Sequence, residues 1–318
     1  MITLSKIAKL AHVSISTVSK AFSMSPEINE QTRELIFDIA KEHGCFKKYY
    51  KAKYPKHVIA VICPEFRSRL YSHALSALQA YLARQGCEIC VAATDFSSET
   101  EQELLRYYDR HATVDGIIVI GAHGASEVEM ELPVAYVLGE RDGCFQVNID
   151  MSQAREQTVE YFLSRGVTEI GLVGERLTQG KLQKFRELFA QRGVDIPQEW
   201  VAAGEKRFEA GGYDAMAQLL DTGKPPRAVI CAYDYLAIGA VRCLYDRGFR
   251  VPEDVAVLGM DDLHEAAYLN PPLSSIDYPI DRACELAADA LRAELMGKPH
   301  PSREVLTARL HLRRSTEV

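Results

Sequence analysis

Apolar positions recur along this chain in two different ways. Over residues 1–45 they follow helical spacing. Ile7, Ala8, Leu10 and Ala11 give a first helix its apolar face. Val13 follows, and Ser14 is placed to cap a second helix, over residues 16–22, by accepting a backbone N–H. A third helix starts near Asn29, carries Leu35, Ile36, Ile39 and Ala40, and stops at Gly44. Residues 46–57 are basic and aromatic, with no apolar face large enough for a core, and read as a linker or a partner-binding segment. From Val58 onward, apolar runs alternate with amphipathic stretches. The pattern predicts strands at 58–63, 88–92, 116–121 and 134–138, with helices at 71–84 and 99–108. A second cycle has helices at 152–164, 181–192, 213–220 and 236–246, with strands at 169–173, 228–231 and 255–259. A last helix, 280–296, follows it. Repeated strand–helix alternation predicts parallel sheets with helices on both faces. Two such runs predict two doubly wound lobes.

Composition changes this picture little, but charge changes it more. The 318 residues are 47% hydrophobic and 25% charged, as in an ordinary soluble globular protein. The formal charge of −7 argues against nucleic acid when taken whole. It is unevenly divided. Residues 1–56 carry ten Lys/Arg against five Asp/Glu, a net of +5, which leaves −12 for the rest. The small N-terminal part is therefore free to meet phosphates.

No run of about 18 apolar residues predicts a membrane span, and the N-terminus lacks a secretory pattern. The expected location is the cytoplasm. Eight cysteines are spread along the chain. The only Cys-x-x-Cys, Cys87 to Cys90, runs into a strand, whereas a redox pair starts a helix. No pair has zinc-ligand spacing, so buried structural thiols are expected.

The segment from Leu4 to Phe22 fits a helix-turn-helix. Ala8 lets the two helices approach, and Val13 and Val18 fill the space between them. Ser14, Ser16, Thr17 and Lys20 are left as a polar face. Residues 3–44 resemble the headpiece of the lactose-repressor family of bacterial regulators. The family pattern is met by Ile7, Ala8, Ala11, Val13, Ser14, Thr17, Val18, Ser19, Lys20 and Ala21, with Thr32-Arg33 and Ile39-Ala40 beyond. The resemblance implies that Ile15 and Ser16 select bases. It places Lys20 where the family usually has a base-reading arginine, and Lys offers a point charge instead of a planar fork. Ser14, Thr17 and Ser19 would orient the helix on the backbone of the duplex. His12 stands where the family turn usually has glycine, which suits a backbone that is not strongly left-handed. In place of the family hinge the chain has Lys47, Lys48, Lys51 and Tyr54, with Tyr54 as the candidate minor-groove wedge.

The resemblance runs to the C-terminus, through the stretches beginning at Val147, Val251 and Asn270 and the closing Arg313-Arg-Ser-Thr316. It implies an N-terminal all-α headpiece, residues 1–45, a basic hinge, 46–57, and a core, 58–318, like periplasmic binding proteins. Lobe 1 would cover about 58–149 and 276–304, and lobe 2 about 150–275 and 305–318, as three crossovers require. A small-molecule effector would sit in a cleft, beyond the carboxyl ends of the strands. The candidate contacts are Ser68, Arg69 and Tyr71 from lobe 1. From lobe 2 and its return they are Lys181, Phe208, Tyr233, Asp234, Asp261 and Tyr278. Phe208 would stack on an apolar ligand face, and Asp261 would bond sugar hydroxyls. Asp234 and Asp262 could instead cap helices. Lys181 takes the place of a sugar-binding arginine, and with Arg69 it admits an anionic sugar derivative beside neutral sugars.

The expected function is a sequence-specific DNA-binding transcriptional regulator, a repressor, controlled by that small molecule. Its partners are a pseudo-palindromic double-stranded operator, the effector and a second copy of the chain, with no membrane and no cofactor. Helices 71–84 and 236–246 are the dimer surfaces by analogy. Gly174 to Lys181 departs from a phosphate loop in spacing and lacks the hydroxyl after the lysine. Gly-x-Ser-x-Gly and His-Glu-x-x-His are absent, so no catalytic or metal site is expected. Two other readings stay open: a small-molecule binding protein with degenerate DNA control, and an α/β enzyme with a vestigial headpiece.

Overall fold

The computed structural model of the protein describes residues 2–46, 49, 56–122 and 129–318. The hinge candidates Lys47, Lys48, Lys51 and Tyr54 lie outside the described residues.

Three helices open the chain: α1 (Leu4–Leu10), α2 (Ile15–Phe22) and α3 (Glu30–Glu42). Each begins where a side chain can satisfy a free backbone donor. Thr3 caps α1, Ser14 accepts from the Thr17 N–H at 3.0 Å, and Asn29 accepts from the Thr32 N–H at 2.8 Å. Ile7, Ala8, Val18, Ala21, Phe22, Ile36 and Ala40 form their shared core. His12, in the turn between α1 and α2, has φ 52°. The backbone there is left-handed after all, and a Cβ is held where glycine would be unstrained.

The linker boundary also differs from the expectation. Phe46 is buried in this small core, with ring centroids 5.0 Å from Phe37 and 6.1 Å from Phe22. The Tyr49 ring lies 5.3 Å from Phe22, and its hydroxyl donates to the Ile2 carbonyl at 3.4 Å. A three-helix unit of this size exposes one end of its core, and these two rings cover it. The surrounding lysines hide that role in a hydropathy reading.

The remaining chain forms two α/β lobes, described in turn. The strands of lobe 1 are β1 (His57–Cys63), β2 (Cys87–Ala93), β3 (Gly116–Ile120), β4 (Val134–Val137) and β5 (Phe145–Asp150). Its helices are α4 (Arg69–Arg84) and α5 (Ser98–Arg110). Lobe 2 adds α6 (Ser152–Leu163), β6 (Ile170–Glu175), α7 (Gln179–Ala190), β7 (Val201–Gly204), α8 (Phe208–Leu220), β8 (Ala228–Cys231), α9 (Asp234–Asp246), β9 (Ala256–Met260) and β10 (Ser274–Asp277). The chain then returns to lobe 1 as α10 (Ile280–Leu295), and β11 (Arg303–Thr307) and β12 (Arg309–His311) follow. The sheets run β11-β5-β4-β3-β1-β2 and β12-β10-β9-β8-β6-β7. Pairings from β1 to β5 and from β6 to β10 are parallel, while β12 is antiparallel to β10. The first compact unit is Met1–Asn148 with Ile280–Glu304, the second Ile149–Pro279 with Val305–Val318. The chain passes between them three times.

Central strands β3, β8 and β9 are buried along their whole length, as parallel strands covered on both faces must be. In lobe 2, α8 and α9 meet through glycine. An added Cβ at Gly239 would stand 1.9 Å from the Glu209 carbonyl, and one at Gly212 2.0 Å from that of Leu236. This approach seats α9 so that Asp234 enters the interior. Cys87 and Cys90 both lie on β2, away from any helix start. Burial pushes the Cys63 thiol up to about 11 and that of Cys284 to about 12, so neither offers a thiolate.

Candidate functional site

The headpiece presents one polar face. Ile15, Ser16, Ser19 and Lys20 are exposed on α2, while Val18, Ala21 and Phe22 turn inward. Ser14 is occupied by its cap, and its Oγ lies 2.8 Å from the Thr17 hydroxyl. Lys20 donates from Nζ to the Glu27 carboxylate. Ile15 is 51% exposed, an apolar side chain that no core claims and that suits a thymine methyl. The exposed face of α2 thus carries apolar and hydroxyl groups at its N-terminal end and the Lys20 ammonium in its last turn.

In lobe 1, β1 and β3 are neighbours while β2 lies on the far side of β1. The strand order reverses there, the place where open α/β sheets hold ligands at their carboxyl ends. Ser68 stands at the N-cap of α4 without a side-chain cap bond, and Arg69 and Tyr71 follow in the first turn. The Tyr71 ring lies 6.4 Å from Phe96 and covers Gly121, where an added Cβ would stand 3.0 Å from it.

Lobe 2 repeats the arrangement at the β6/β8 reversal. Lys181, in the first turn of α7, donates from Nζ to the Ala232 carbonyl at 3.1 Å and lies 5.3 Å from the Tyr278 ring centroid. Asp261 follows β9 with φ 99°, its N–H held by the Ile276 carbonyl at 2.9 Å. Its Oδ1 is buried and has no hydrogen-bond partner among the described residues. Burial pushes this carboxyl up to about 6, and the charge of Lys181 offsets part of the effect. The structure therefore brings together Lys181, Asp261 and Tyr278, which are far apart in sequence.

Three other expected contacts are used inside lobe 2. Asp234 is fully buried, with Oδ1 accepting from the Ser275 hydroxyl at 2.6 Å and Oδ2 from the Leu263 N–H at 2.8 Å. Burial, reinforced by Asp261, pushes it well above the usual carboxylate range. It fixes the loop after β9 from behind. Phe208, with φ 59°, is 5% exposed and packs on Tyr233 and Tyr235 at 6.1 and 5.9 Å. The Tyr233 hydroxyl accepts from the Phe208 N–H at 2.9 Å, and burial pushes that phenol to about 12. Phe208 and Tyr233 hold each other and shape the loop before α8. Asp262 caps no helix. Its carboxylate accepts from Arg313 Nη1 at 2.6 Å and lies 2.6 Å from His311 Nδ1, which fastens β12 to the loop after β9.

One pair escaped the sequence reading. Glu175, buried at the end of β6, accepts from Arg207 Nε at 3.3 Å and from the Leu177 N–H at 3.0 Å. The Arg207 guanidinium stacks 4.7 Å from the Phe208 ring centroid. A carboxylate ending a buried strand was the available signal for Glu175. Arg207 had none beyond its place before a helix.

The wall so formed offers a carboxylate acceptor, cationic donors and an aromatic face. It can bind a polar molecule with directional bonds. Among the described residues no group of three His, Cys, Asp or Glu is placed to hold a metal. Nor is any helix there long and apolar enough to cross a membrane.

A helix-turn-helix headpiece on a two-lobed core with such a wall defines a ligand-responsive DNA-binding protein. Comparisons agree with that class. Residues 3–46 match the bacterial regulatory proteins of the lacI family, and residues 159–316 match the periplasmic binding protein-like domain. The ribose operon repressor of Haemophilus influenzae is 26% identical, with 92% of this chain and 91% of that protein covered. The transcriptional repressor CytR of Escherichia coli is 27% identical over 87% of this chain and 85% of its own. A solved transcriptional regulator CelR–cellobiose complex is 26% identical with a TM-score of 0.69, covering 99% of this chain and all 100% of that one. The chain therefore carries a headpiece like that of the lacI family and a domain like the periplasmic binding proteins, and it is a DNA-binding transcriptional regulator.

Proposed function

We propose that this chain is a homodimeric repressor working in the cytoplasm, without catalysis, on a pseudo-palindromic operator. Its α2 helix reads each half-site through Ile15, Ser16 and Lys20. A sugar or anionic sugar derivative, held at the carboxyl end of the lobe 2 sheet, controls its affinity for the operator. The buried, unpartnered Oδ1 of Asp261 beside Lys181 and Tyr278 carries the effector reading. A desolvated acceptor without a donor is costly, and a ligand hydroxyl supplies the donor. The wall's charges are matched locally, Lys181 beside Asp261 and Arg207 on Glu175. That balance supports a hydroxyl-rich ligand over a multiply charged one. The relatives named for the ribose operon and solved with cellobiose support the same class. In lobe 1, Ser68, Arg69 and Tyr71 are the candidates for further contacts.

The test combines thermal-shift screening of sugars, sugar phosphates and nucleosides with operator binding of the full chain. Asp261→Ala should abolish the response to the ligand found while leaving DNA binding intact. A surviving response removes Asp261 from the site. Lys20→Ala should cost on the order of 1–3 kcal/mol of specific binding.

A further inference from the structure

The turn that follows the DNA-facing helix carries a carboxylate, which at first sight belongs anywhere but beside phosphates. Its position is held firmly. The Met24 and Ser25 N–H groups donate to the Ala21 and Lys20 carbonyls, both at 2.9 Å. From the other side, Arg33 Nη2 donates to the carbonyls of Ser25 at 3.0 Å and Ile28 at 2.8 Å. The Glu27 N–H reaches the Ser25 hydroxyl at 3.4 Å. The turn so fixed sets Glu27 against Lys20, whose ammonium donates to its Oε2.

The pair adds little to stability. The Lys20 side chain is 46% exposed and that of Glu27 65%, and ion pairs so open to water contribute little. Lys20 lies on the exposed face of α2 with Ser16 and Ser19, and the exposed Glu27 is set against it from the turn that follows. Their chemistry matches one base pair. In the major groove a G·C pair shows two neighbouring acceptors, guanine N7 and O6, and then a donor, cytosine N4. O6 and N4 are hydrogen-bonded to each other, so they stand about 2.9 Å apart. An ammonium and a carboxylate at hydrogen-bond separation can lie alongside them, donor to O6 and acceptor to N4. A T·A pair also sets an acceptor, thymine O4, beside a donor, adenine N6, but it flanks that acceptor with a methyl where guanine offers N7, so only G·C gives the ammonium two acceptors.

We propose that Glu27 is a specificity residue that reads DNA together with Lys20, the ion pair recognising one G·C base pair in each half-site as a unit. This rests on the DNA-binding reading of the headpiece. Full-length wild-type, Glu27→Ala, Glu27→Gln, Lys20→Ala and the double alanine variant are each used to select bound duplexes from a randomised double-stranded library. Binding to the selected duplex and to unrelated duplex is then measured. In the wild type one G·C pair per half-site should be fixed at the Lys20 position. Glu27→Ala should lose about tenfold of the preference for that pair, and the double variant should lose no more than either single one. Glu27→Gln keeps an acceptor and should keep most of the preference. Both Glu27 variants should bind unrelated duplex more tightly, because a negative charge near phosphates is gone. An unchanged motif and preference in Glu27→Ala, with tighter binding to every duplex, overturns the proposal and leaves the regulator reading standing. Failure of the wild type to enrich any motif overturns both.

Discussion

Asp261→Asn should stabilise this protein and at the same time weaken its response to ligand. The carboxylate sits after β9 with Oδ1 buried and unpartnered, and burial pushes it from 3.8 to about 6. That is about two pKa units, and at about 1.4 kcal/mol each the ionised group destabilises the native state by up to about 3 kcal/mol. The direction follows from proton counting. The folded chain holds this proton up to about pH 6 and the unfolded chain releases it near 3.8, so between those values the folded state binds more protons. Stability contributed by this site therefore falls as pH rises through that window, and the cost is complete above it. Asparagine keeps the shape, carries no charge and tolerates the φ of 99° at least as well. Urea unfolding of both proteins at pH 4 and pH 8 measures the difference. The variant should gain up to about 3 kcal/mol at pH 8 and close to nothing at pH 4. A variant less stable than wild type at pH 8, or a gain independent of pH, refutes the reasoning.

Three further changes test separate parts of the fold. Gly239→Ala places a Cβ 1.9 Å from the Glu209 carbonyl, so α8 and α9 must separate. The cost should be about 3 kcal/mol in chemical denaturation, and an unchanged midpoint contradicts the close approach. His12→Gly relieves the left-handed turn at φ 52°. It should stabilise the headpiece by about 0.5–1 kcal/mol, read in the full chain as slower amide exchange in α1 and α2. Asp262→Ala takes the carboxylate from the Arg313 guanidinium, whose side chain is only 22% exposed, and leaves it the Leu273 carbonyl. It should lower stability by about 2 kcal/mol, and Arg313→Ala should add little to that loss because the two share one contact.

Much of this was readable from the residues, for identifiable reasons. The headpiece helices announce themselves by period and by the caps Ser14 and Asn29, both local signals. The linker does not. Phe46 and Tyr49 pack across the end of the headpiece core, and no local pattern says that two rings among lysines turn inward. The long buried strands were plain, but β7, Val-Ala-Ala-Gly, is four residues of mostly small side chains and carries no period. β12 has three residues and takes its pairing from Ser275, Ile276 and Asp277. At the site, carboxylates after buried strands made Asp261 and Asp234 expected contacts, and the structure puts the buried Asp261 Oδ1 at the end of β9. Asp234 lies inside, bonded to Ser275 and the Leu263 N–H. Which side of a strand end a carboxylate faces depends on Ser275, 41 residues away, and on the glycines that let α9 approach.

The strained and buried groups of lobe 2 gather at one end of its sheet. Phe208, Asp261 and Asp262 have φ of 59°, 99° and 46°, and Asp234 and Asp261 are the acids that burial raises. A sequence free of functional demands would relieve both kinds of stress, with glycine at the turns and an amide in place of the lone acceptor. Their concentration where β6, β8 and β9 end has a thermodynamic consequence. A ligand that donates to Asp261 returns part of the stability the empty site forgoes, so its binding and the stability of lobe 2 must be linked. The linkage depends on pH in a defined sense. A donor hydroxyl favours the ionised carboxylate, so such a ligand should bind more tightly above pH 6 than below it. In Asp261→Asn that pH dependence should vanish together with most of the affinity. A ligand whose affinity in wild type does not change between pH 5 and pH 8 does not contact this carboxylate.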